Sequence, residues 1–209
     1  MAEEFHKPTM FPSAVFEAYQ GGVDPAETSR IAHETSHALL SRVRADPDAD
    51  IVDRLVAYTD ENGIDAIADL WSHASARSLP GALWRIYLLR VIIRQDPVSS
   101  AFYFERGVAV TTTIDPVVAG AEAPTGPDEI TALADRILRG LFEGDFAVAL
   151  DRAAAFCRIA GIGCTSVADD LDTTEPERSS ELTRRALRYS TIAAELASCA
   201  RLWRSESLD

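Results

Sequence analysis

Apolar positions recur at helical spacing along almost the whole chain. After Asp24-Pro25, Ala32, Leu39 and Val43 form one apolar stripe with polar residues around it, which predicts a helix to about Arg44. Proline suits the first turn, where its missing N–H leaves no intrahelical bond unmade. Asp46-Pro47 ends that helix, and Asp50 to about Asp60 predicts the next, stopped at Asn62-Gly63. Ile64 to Ala74 follows as a short helix with Ile67, Leu70 and Trp71 on one side, and Leu79-Pro80-Gly81 reads as a break. Ala82 to Gln95 is apolar nearly all round, so it predicts the central buried helix, with Leu83, Trp84, Tyr87, Leu88, Val91 and Ile92 in the core. Arg85 and Arg90 on that helix must snorkel or pair with carboxylates.

Asp96-Pro97 opens another helix, through Phe102, Tyr103 and Phe104 to near Gly107. Val108 to Ile114 is the only strand-like run, and a continued helix or an irregular segment is an equal reading, because a lone strand has nothing to pair with. Asp115 to Pro127 holds three prolines and two glycines and reads as a connection. Helices resume at Asp128 to about Gly140 and Asp145 to about Ile162, where Gly161-Ile162-Gly163 marks a helix end. The acidic stretch Cys164 to Glu177 reads as a solvated loop with a short turn. Pro176 opens a last helix to about Trp203, with a seam at Leu182, Ala186, Tyr189, Ala193, Leu196, Ala200 and Trp203. The spacing of four and three suits packing against another helix, within the chain or in a homodimer. The expected fold is all-α, an irregular multi-helix bundle of about eight to ten helices around the central apolar helix 82–95. It forms a single helical domain over 11–204, or two packed lobes, 11–108 and 127–204, joined by 115–127.

Composition narrows the class. Of 209 residues, 33 are acidic and 20 basic, a net charge of −13, which disfavours general nucleic-acid binding because phosphates would be repelled over most of the surface. An apolar content of 47% argues against disorder, and 33 alanines favour helix. Three cysteines, Cys157, Cys164 and Cys199, form no CxxC pair and read as small buried side chains in a reducing compartment. The start MAEEFHKPTM is charged, without the apolar core of a signal peptide, and the most apolar stretch, 81–93, is too short to span a bilayer. These features predict a soluble cytoplasmic protein without membrane association.

One short motif carries chemistry. His33-Glu34-Thr35-Ser36-His37 is HExxH inside a predicted helix, where residues i and i+4 share a face and both imidazoles can bind one Zn²⁺. Glu34 would then act as general base toward the metal-bound water. In this respect the segment resembles a zinc metalloprotease helix. Gluzincins take a third ligand from a following helix, and Glu61, with Asp65 four residues later, resembles that arrangement. Against it, no strand precedes residue 33 to align a substrate, Glu61 sits in a helix stop, and His33 and His37 fall beside Arg30 and Arg44. Nothing in the spacing brings His73 to the pair.

Other signals are structural on their face. Asp46, Asp48 and Asp50 imitate the start of an EF-hand loop, but Ile51 and Ala57 stand where its glycine and bidentate glutamate belong. Arg184, Arg185 and Arg188 form a basic cluster that suits salt bridges to an acidic surface, or an anionic ligand or partner. LPGALWRIYLLR (79–90), TIDPVVAG (113–120), GDFAVALDRAAAFCR (144–158) and GCTSVADDLDTTEPE (163–177) resemble a group of uncharacterised all-helical actinobacterial proteins. Some of that group carry an RNA polymerase β-subunit label, which no recognisable polymerase element here supports. The resemblance implies a fold neighbourhood and no activity. The favoured expectation is a non-catalytic soluble helical protein without a cofactor, acting through protein–protein interaction, with regulation as one role open to it. The alternative is a zinc-dependent hydrolase with Glu34 catalytic and His33, His37 and Glu61 on the metal.

Overall fold

The computed structural model describes residues 24–45, 70–120 and 126–209. Among these the structure is all-helical, with seven helices and no strand. They are α1 (Pro25–Ala45), α2 (Leu79–Gln95), α3 (Pro97–Val110), α4 (Asp115–Ala119), α5 (Pro127–Glu143), α6 (Phe146–Leu171) and α7 (Pro176–Arg204). The helices expected at 50–60 and over most of 64–74, and the Asp46–Asp50 motif, lie outside the described residues. No described helix is long and apolar enough to cross a membrane.

Local chemistry sets the helix starts. All but α6 carry a proline in the first turn. Before α1, Asp24 accepts the Ala26 N–H at 2.9 Å; before α3, Asp96 accepts the Ser99 N–H at 3.0 Å. Helix α6 lacks proline and is capped by Asp145, which accepts the N–H groups of Ala147 and Val148 at 2.8 and 3.2 Å. The same rule corrects the expected break at Leu79-Pro80-Gly81. Those residues are the first turn of α2, because Ser78 accepts the Gly81 N–H and Pro80 sits where it costs nothing. The strand-like run 108–114 divides into the end of α3 and an irregular link to α4.

The centre of the bundle belongs to α6, not to 82–95. Helix α6 packs against α2, α3, α4, α5 and α7. It continues to Leu171, straight through the Gly161-Ile162-Gly163 stretch expected to end it and into the expected acidic loop. The reason is close approach. A Cβ on Gly163 would overlap the Tyr103 carbonyl oxygen of α3, and a Cβ on Gly107 of α3 would overlap the Ile159 carbonyl oxygen of α6. The two backbones touch there, which only glycine permits. Nearby, Phe104 of α3 stacks on Phe156 of α6 at 5.2 Å.

Helix α2 stands beside this centre. Leu83, Ile86, Tyr87 and Ile93 are buried, but Trp84, Leu88, Val91 and Ile92, expected in the core, are only partly so. Its arginines pair as expected. Buried Arg90 meets Asp135 of α5 at 2.7 Å, and Arg85 meets Glu195 of α7 at 2.5 Å. The buried side chains, from Ala32 to Leu208, form one hydrophobic cluster.

The last helix runs as expected from Pro176 to Arg204. Leu182, Ala186, Tyr189, Ala193, Leu196 and Ala200 of its seam are buried, and Trp203 packs on Phe146 at 4.5 Å. Helix α6 of the same chain supplies most of that cover. Beyond α7, Leu208 is buried and the Leu79 N–H donates to the Asp209 carbonyl oxygen at 2.7 Å.

Candidate functional site

The HExxH residues lie on α1 with their polar atoms engaged locally. His33 Nδ1 is 2.7 Å from the Ser29 carbonyl oxygen, Glu34 pairs with Arg30 at 2.7 Å, and His37 Nε2 lies 3.5 Å from Asp209 Oδ1. His37 is exposed and His33 partly so. His73 does approach this helix, lining a small cavity of about 330 Å³ with Thr28, Ser29 and Ala32. Among the described residues, no three His, Cys, Asp or Glu side chains form a group that could hold a metal. Glu61, the expected third ligand, lies outside the described residues.

The cysteines are unsuited to nucleophilic chemistry at neutral pH. All three are free and buried. Burial pushes the Cys157 thiol up to about 12 and those of Cys164 and Cys199 to about 11, so they stay protonated.

The larger feature is a groove of about 790 Å³ where α6, α7 and the link from α3 to α4 meet. On α6 its wall is the line Arg158, Ile162, Thr165, Asp169, spaced four, three, four, so these residues share one face. On α7 it is Thr183, Leu187, Ser190. The floor is low because Gly161 and Ala186 meet there. A Cβ on Gly161 would sit in ordinary contact, 3.4 Å from Tyr189 Cβ.

The third wall is held by a charge. Asp115 Oδ1 accepts two N–H groups of Arg158, at 2.9 and 2.5 Å, while the Thr113 hydroxyl donates to Asp115 Oδ2 at 2.9 Å. The Arg158 hydrogen bonds hold the Asp115 carboxyl below its ordinary range. This clamp fixes the start of α4 onto α6. Of the groove lining, Val110 is 47% and Leu187 68% exposed, and on the adjoining link and α4 Ile114 is 75% and Val117 82% exposed. Leu187 lies off the α7 seam, an apolar residue on the open side of that helix that the seam does not account for.

The Arg184, Arg185, Arg188 cluster divides. Arg184 and Arg188 are exposed, whereas Arg185 lies over the rings of Tyr103 and Tyr189 at 5.0 and 5.9 Å. No protein-family model matches the chain, and no curated protein or solved structure matches it.

Proposed function

We propose that this protein acts without chemistry of its own, by binding a protein partner in the groove between α6, α7 and the α3–α4 link. The observation that carries the reading is the exposed apolar side chains Val110 and Leu187 lining a groove with a low floor on well-packed helices, with exposed Ile114 and Val117 on the adjoining link and α4. Scattered exposed apolar residues are ordinary, but a group of them beside a concave surface suits recognition of a partner. The surrounding scaffold supports it, because a groove fixed by the Asp115–Arg158 clamp needs little ordering on binding.

The test is photo-crosslinking in the source cell. A benzoylphenylalanine at position 187 should give a discrete adduct with one protein, weakened by Val110→Asp. The same group at exposed position 27 on α1 should not. Equal adducts from both positions would contradict the proposal. Elemental analysis adds an independent contradiction: stoichiometric zinc, lost in His37→Ala, would replace this reading with a hydrolase.

A further inference from the structure

We infer that the occupant of the groove is an amphipathic helix with Arg or Lys beside its apolar stripe, placed to meet Asp169. The inference rests on the partner-binding reading above and specifies the chemistry of the partner.

Three charges line the groove. Asp115 and Arg158 neutralise each other in the clamp. Asp169 has no ion-pair partner among the described residues and stands at the other end of the α6 line, eleven residues from Arg158. At 1.5 Å per residue that line is about 16 Å long, close to three turns of an incoming helix. Gly161 and Ala186 on the floor leave room for large side chains at the i, i+4, i+7 positions of the occupant. Asp169 then faces its polar flank.

The rest of the chain favours the same sign. Its net charge of −13 attracts a cationic segment and repels an acidic one. A second copy of this chain would bring its own net charge of −13, which disfavours self-association. The remaining polar lining, Thr113, Thr165, Ser166, Thr183 and Ser190, is uncharged and accepts either a side-chain or a backbone partner at the rim.

Two designed helical peptides test this, identical in a Leu/Phe stripe and differing only in a Lys/Arg or a Glu flank. Fluorescence anisotropy measures both against the full chain at physiological salt. The basic peptide should bind about 10-fold tighter than the acidic one. Asp169→Lys should cut that preference about 10-fold, while Glu27→Lys, an equal charge change on exposed α1, should shift it less than about 2-fold. Leu187→Asp should weaken both peptides. Asp169 and Leu187 are exposed, so circular dichroism should find both variants folded. Equal effects of Asp169→Lys and Glu27→Lys would overturn the inference and leave the groove standing, provided Leu187→Asp still weakens binding. Binding indifferent to Leu187→Asp, or no binding of either peptide, would overturn the groove and the inference together.

Discussion

Helices α2 and α6 are both long, apolar and heavily buried, yet they hold different places in the bundle. Helix α2 carries large side chains on every face, and several of them, Trp84, Leu88, Val91 and Ile92, stay only partly covered. Helix α6 carries alanine and glycine at many buried positions, including Ala153, Ala154, Ala155, Ala160, Gly161 and Gly163, and five other helices lie against it. Large side chains hold neighbours away and demand cover; small ones let backbones come near. The centre therefore goes to the helix that can be approached most closely. The same property explains the groove, since small residues on a face with no helix over it among the described residues leave a concave surface.

The comparison can be broken by truncation. Phe156→Ala on α6 removes a fully buried ring stacked on Phe104 and should lower stability by about 3–5 kcal/mol in urea unfolding. A loss under about 1 kcal/mol would mean that the contact with α3 is not a core contact. Within α2 the cost should follow position and not hydrophobicity. Leu83→Ala, at a fully buried site, should cost about 3 kcal/mol, and Leu88→Ala, half-buried, about 1 kcal/mol. Equal losses would restore α2 as a helix buried on all sides.

A smaller effect tests the clamp between α4 and α6. The Asp115 carboxyl is held below its ordinary value by Arg158. Its contribution is therefore fully present above pH ~4 and lost as pH falls through the lowered folded value. Asp115→Asn should cost about 1 kcal/mol at pH 7, and the gap to wild type should close on acidification. A gap that stays constant from pH 7 to pH 3 would show that the carboxylate charge plays no part.

Helix starts were legible because their chemistry is local: Asp24-Pro25, Asp96-Pro97, Asp145 and Pro176 each act within one turn. The α7 seam was legible because its period survives over about six turns. The role of Gly161-Ile162-Gly163 was not, because glycine as a helix stop and glycine as a close contact look alike until Tyr103, sixty residues earlier, is in place. The break read at Leu79-Pro80-Gly81 had the same source, a proline whose meaning depends on which side the helix lies. The groove was not legible because three separate parts of the chain build it, half of its lining being Ser, Thr, Gly and Ala, none of which stands out in a sequence. HExxH showed the converse, a conspicuous pattern whose side chains bond within α1 or to the chain end.

Two glycines two residues apart carry the central claim, that α6 is the middle of the fold because its backbone can be touched. Gly163 faces the Tyr103 carbonyl with no room for a Cβ, whereas Gly161 has ordinary space beside Tyr189. Urea unfolding of Gly163→Ala and Gly161→Ala compares them directly. Gly163→Ala should lose about 3 kcal/mol as α3 is forced away, while Gly161→Ala should stay within about 1 kcal/mol of wild type, helped by alanine's higher helix propensity. Equal stability of the two variants would contradict the account.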